Sequence, residues 1–144
     1  MQEGSRIHRM IQRSKGSEYH AEVSLQHIVN TTDYDIVIEG RADGIIDDGE
    51  TIPTIDEIKC TYKDLDKLKK PMPLHLEQAK CYAFMYAYLY EKLFMRVQMT
   101  YCNLDTEELK YFTYDYTLEE LRALAAGIHK GEEFKGYKVP TFIE

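Results

Sequence analysis

Asp43, Glu57 and Lys59 are the residues on which this chain of 144 residues can build phosphate chemistry. They occur as a lone Asp followed by Glu57-Ile58-Lys59, and the order matters. Two carboxylates aimed at one spot repel each other unless a divalent cation lies between them, and hard oxygen ligands suit magnesium or manganese. A lysine at the same place can orient an attacking water or neutralise charge growing on a phosphoryl group. The plainer reading of the trio is a solvated hairpin with an ordinary salt bridge.

The elements that must position these side chains are two strand-like runs. In the first, Val37, Glu39, Arg41 and Asp43 alternate with Ile36, Ile38, Gly40 and Ala42, which puts Asp43 at a strand end beside Gly44. In the second, from 51 to 60, Ile55, Glu57 and Lys59 share one face, and Asp56 and Ile58 share the other. Asp47, Asp48 and Gly49 close the hairpin between them, so their carboxylates read as turn chemistry rather than as ligands.

With Asp43 and Glu57-Ile58-Lys59 in place, the chain resembles the PD-(D/E)XK nuclease superfamily, whose signature is a lone Asp followed by (D/E)-x-K on the next strand. Gly4 to His8 (GSRIH) resembles the first-helix motif of the RecB-like exonuclease branch, and Gln78 with Tyr82 (QAKCY) resembles that branch's Q-x-x-x-Y helix. The order of motifs is also similar to the nuclease domain found N-terminal to XPD-like helicases in bacteria.

The resemblance implies a metal-dependent DNA nuclease, an exonuclease within a helicase-nuclease of DNA repair or recombination. Asp43, Glu57 and Lys59 would be catalytic. His8, Asp43, Glu57 and the backbone carbonyl of Ile58 would hold Mg²⁺ or Mn²⁺, and Gln78 and Tyr82 would bind the nucleic-acid strand. Glu22 is an outside candidate, because relatives sometimes carry a further acidic residue near that position. The alternative is a catalytically inactive DNA-binding module that keeps the nuclease fold within a helicase.

Composition sets limits on these readings. Charged residues make up 30% and hydrophobic residues 44%, the balance of an ordinary globular domain. No apolar run approaches the ~20 residues that cross a bilayer, so no membrane partner is expected, and the default compartment is the cytoplasm. The three cysteines, Cys60, Cys81 and Cys102, are odd in number and widely spaced. They read as small buried hydrophobes, and no iron-sulfur cluster is expected.

A net charge of −7 opposes unaided nucleic-acid binding. Local basic groups at Arg6, Arg9, Arg13 and Lys15, and at Lys63, Lys67, Lys69 and Lys70, soften that conflict, and a partner helicase domain would supply most of the grip.

The remaining pattern gives a first helix over 3–14 with Ile7, Met10 and Ile11 as its apolar stripe, a half-buried strand over 19–29, and a helix over 74–93. Glu22 and His27 are read as outward-facing. The lysine-rich linker before Pro71-Met72-Pro73 is either a lid that closes over substrate or a mobile connector. Two further strands, 95–102 and 109–116, lead to a last helix that opens on a Thr117 to Glu120 capping box. The expected order, αβββαββα, is a mixed α+β sheet of about five strands flanked by helices, of the restriction-endonuclease-like kind. The domain would occupy residues 1–135, and 136–144 would be a tail or linker.

Overall fold

The computed structural model describes residues 2–30, 32–129 and 142–143. Helix α1 (Gln2–Arg13) precedes three strands, β1 (Tyr19–Asn30), β2 (Asp35–Ile46) and β3 (Thr54–Thr61). After a 3-10 turn at Leu65–Lys67 come α2 (Pro73–Tyr90), β4 (Phe94–Asn103), β5 (Leu109–Thr117) and α3 (Leu118–His129). The order is the αβββαββα expected from the sequence. Strands β1 to β5 lie side by side in chain order, with β3 and β4 parallel and every other neighbour antiparallel. A two-residue strand, β6 (Phe142–Ile143), pairs with Val37 and Ile38 of β2, inside the stretch read as a tail. The rest of that tail lies outside the described residues.

The parallel pair requires a crossover, and α2 supplies it. Pro73 occupies its first turn, where the missing amide hydrogen costs nothing. The helix is apolar nearly all round because Ala79, Cys81, Tyr82, Ala83, Phe84, Met85 and Ala87 are buried between the sheet and α3. Ile55 of β3 joins that core. The other face of the sheet is covered by α1, whose Ile7 and Ile11 pack with Ile58, Cys102 and Leu104. The two helices thus clamp β3 from opposite sides through residues that alternate along it.

The capping box forms as expected: Thr117 N donates to Glu120 Oε1 at 2.9 Å and Glu120 N donates to Thr117 Oγ1 at 3.2 Å. Cys81 and Cys102 are buried and Cys60 half-buried, all three free.

Two expectations change. His27 does not face outward: on the same face as buried Leu25, it packs edge-on to Phe84 and Tyr88 of α2, with ring centres 5.0 and 4.6 Å apart. The lysine-rich linker is neither lid nor loose connector, because four hydrogen bonds tie it to β4 and β5. Asn103 Nδ2 donates to Lys63 O (2.9 Å), Lys110 Nζ to Leu65 O (3.0 Å) and Leu68 O (2.8 Å), and Met72 N to Tyr101 Oη (3.0 Å).

Candidate active site

The ladder between β2 and β3 is short. Pairing runs from Ile46 and Thr54 to Gly44 and Asp56 and then stops. Beyond that point two carboxylates take the place of strand partners. Asp43 N donates to Glu57 Oε1 at 3.0 Å, and Ile58 N donates to Asp43 Oδ2 at 2.7 Å. The strands are held apart by the side chains that the sequence singles out. In an extended strand a residue's N–H and C=O point to the same side, so the carbonyl of Ile58 faces the gap occupied by Asp43.

Helix α1 reaches the opening with two residues one turn apart. His8 Nδ1 stands 3.7 Å from Asp43 Oδ1, and Gln12 Nε2 donates to the Asp43 carbonyl at 2.8 Å. Sequence reasoning missed Gln12, although its i, i+4 spacing from His8 was the available signal.

Lys59 is placed by a relay from α2. Its Nζ donates to Gln78 Oε1 at 3.0 Å, and Gln78 Nε2 donates to Tyr82 Oη at 3.0 Å, so the amide is fixed from both ends. Glu57 Oε2 lies 3.9 Å from the ammonium. Tyr82 is only 3% exposed, and its ring rests against Gly40 of β2, where a Cβ would overlap it. Tyr82 is thus buried beneath Gln78, which is itself half-buried and links the tyrosine hydroxyl to the Lys59 ammonium.

The electrostatics follow from burial. Glu57 is 2% exposed, and loss of hydration, reinforced by the charge of Asp43, pushes its carboxyl up to about 8. Burial also raises Asp43, opposed by its hydrogen bond from Ile58 N and by the charges of His8 and Lys59. Tyr82 is pushed up to about 12, again mainly by burial.

Asp56, next to Glu57 but on the opposite face, is fully buried and satisfied. It accepts from Tyr19 Oη (2.6 Å), Thr100 Oγ1 (2.6 Å) and Gln98 Nε2 (3.3 Å). Gly44 leaves room for the Tyr19 ring. That network ties β3 to β4 behind the site and gives both oxygens of this buried carboxylate hydrogen-bond partners.

The donor chemistry fits a hard divalent cation. Asp43 and Glu57 each commit one oxygen to a backbone amide, and their other oxygens accept no hydrogen bond among the described residues. The 3.7 Å between His8 Nδ1 and Asp43 Oδ1 is less than two metal bonds of about 2.1 Å each, so one cation can touch both. Among the described residues no group of three or more His, Cys, Asp or Glu side chains stands ready to hold a metal ion, so a site here would also draw on the Ile58 carbonyl.

Glu22 sits across from Asp43 in register, between the pairs Ala21 with Gly44 and Val23 with Ala42, and is itself unpaired there. Its φ of 54° is left-handed backbone inside a strand, a conformation that costs a non-glycine residue about 1–3 kcal/mol. The side chain is exposed and makes no hydrogen bond or ion pair among the described residues.

Asp47 accepts from Tyr86 Oη (2.6 Å) and Gly49 N (3.0 Å) and lies 3.5 Å from Lys92, while Asp48 caps the backbone of Glu50 and Thr51. Both are turn residues, as read from the sequence.

No model of a known protein family matches this chain, and neither does any curated protein. Among solved structures it is similar to the crystal structure of SSO0001, with a TM-score of 0.58 and 19% identity. The match covers 90% of this chain and 60% of that one, so the chain spans less than two thirds of that protein's length. A likeness at that identity shows a shared α+β fold.

Proposed function

We propose that this domain is a divalent-metal-dependent nuclease that hydrolyses phosphodiester bonds in DNA. The observation that carries the reading is the opening of the β2 and β3 ladder at Asp43 and Glu57, with Lys59 aimed beside it. Asp43, Glu57, the Ile58 carbonyl and His8 would hold Mg²⁺ or Mn²⁺. Such an ion supplies a nucleophilic water at neutral pH and stabilises charge on the phosphoryl oxygens. Lys59 orients that water or neutralises developing charge. Gln78 and Tyr82 keep the ammonium in place, and Gln12 braces the Asp43 backbone from behind.

In-line attack on phosphorus would leave a 5′-phosphate and a 3′-hydroxyl, as the resemblance to RecB-like nucleases implies. With a net charge of −7, the domain needs help to hold a polyanion, and a helicase partner acting in repair or recombination fits that need.

The same acidity favours a second reading, a non-catalytic DNA-binding module within a helicase. One experiment separates the two: incubation of end-labelled single- and double-stranded DNA with the domain and Mn²⁺, with Lys59→Ala in parallel. Metal-dependent cleavage that disappears in the variant is expected. An absence of cutting, together with an absence of thermal stabilisation by Mn²⁺, would favour the second reading.

A further inference from the structure

A cavity of about 140 Å³ opens beside Lys59, on the side of the site bounded by the anchored linker. Its walls are apolar, from Leu65, Leu68 and Met72, and its rim carries Lys59, Lys63 and His75. The volume is of the order of one nucleobase and far below a base pair. The walls are preformed, because Asn103, Lys110 and Tyr101 hold the linker backbone at Lys63, Leu65, Leu68 and Met72. A pocket that exists before its ligand arrives spends no binding energy on ordering itself.

The polar group at its rim is also preset. Tyr101 Oη accepts from Met72 N at 3.0 Å, which leaves its own proton for His75 Nδ1, 2.8 Å away. With Tyr101 Oη donating to Nδ1, the neutral His75 ring carries its proton on Nε2 and can donate there. Burial, with the nearby charge of Lys59, favours the neutral ring. His75 stands one helical turn before Gln78, so the α2 face that orients Lys59 also carries the donor.

The surroundings are asymmetric. At Gly40, against which Tyr82 packs, an open groove of about 730 Å³ is lined by Ser24, Gln26, Glu39 and Arg41. A continuing strand fits such a groove, and one nucleotide fits the small cavity.

We propose that the cavity bounded by Leu65, Leu68, Met72 and His75 receives the terminal nucleotide of an unpaired strand. The base lies against the aliphatic wall and takes a hydrogen bond from His75 Nε2, with its phosphate toward Lys59 and Lys63. This assignment rests on the nuclease reading.

The test compares the wild type with His75→Ala and with Met72→Trp, which fills the cavity from a position 42% exposed. Each is assayed with Mn²⁺ on bis(p-nitrophenyl) phosphate, on a linear end-labelled oligonucleotide, and on the same sequence closed into a single-stranded circle. All three proteins are expected to hydrolyse the small diester equally. The wild type releases mononucleotides from the linear strand and spares the circle, and both variants are slower on the linear strand by about tenfold or more. Variants equal to wild type on the linear strand, or a circle cut as fast, would overturn the proposal. Hydrolysis of the small diester with no action on DNA would overturn it too, while sparing the metal centre. If nothing is hydrolysed the nuclease reading fails, and the cavity is then judged by titrating thymidine monophosphate against the His75 ring resonances. A saturable shift that Met72→Trp removes supports the pocket, and no shift refutes it.

Discussion

Tyr82 packs against the bare Cα of Gly40, and the hydroxyl on that same ring accepts the amide that orients Lys59. Gly40 therefore bears on the position of Gln78 and Lys59 from the neighbouring strand. Gly40→Ala places a methyl inside the ring, and the expected cost of such overpacking is about 1–3 kcal/mol. We expect cleavage to fall further than stability does, because the Gln78 amide loses its fixed end. Equal activity at a lowered melting temperature would show that the relay is not needed.

Gln78→Leu keeps the bulk of the side chain and removes both hydrogen bonds. By analogy with residues that position first-contact groups, activity should drop about 10–100-fold. Mn²⁺ affinity should be unchanged, since Gln78 is not a ligand. Calorimetry on the variant checks this, and a comparable loss of metal affinity would mean that the residue does more than aim Lys59.

Glu57 makes stability depend on pH. Its carboxyl is raised from 4.5 to about 8 in the fold, first by burial and then by Asp43. Between those values the unfolded chain releases a proton that the folded chain keeps. Stability of the metal-free protein therefore declines as pH rises from about 4.5 to about 8 and levels off above. Asp43 is shifted in the same direction and adds to the trend. Glu57→Gln should flatten the profile, raise the melting temperature at pH 8 and abolish stabilisation by Mn²⁺. Melting curves from pH 5 to 9 would contradict this if wild type and variant ran parallel.

Glu22 separates strain from function. Glycine adopts its left-handed backbone freely, so Glu22→Gly should stabilise the fold by about 1 kcal/mol. If the carboxylate serves the site, the same variant loses activity despite its greater stability. Unchanged cleavage would remove Glu22 from the candidates.

The sequence by itself determined the element order, the capping box at Thr117, and the set Asp43, Glu57, Lys59, Gln78 and Tyr82. The element order, the capping box and the shared face of Glu57 and Lys59 are local, read from alternation, periodicity and short spacings, whereas Gln78 and Tyr82 joined the set through the resemblance alone. His27 was misread because its partners Phe84 and Tyr88 lie on a helix more than fifty residues later, and period alone does not say which face of β1 that helix covers. Gln12 shares a helix face with His8, but its partner is a backbone carbonyl, which no residue type announces.

Only the tertiary structure decided that the β2 and β3 ladder ends at Gly44, that carboxylates replace its next bonds, and that Tyr82 is buried beneath Gln78. It also decided that the linker is a fixed wall. Its anchors, Tyr101, Asn103 and Lys110, belong to strands that follow α2. Hydrogen bonds between distant segments depend on which strands become neighbours, and that is settled by packing rather than by local pattern.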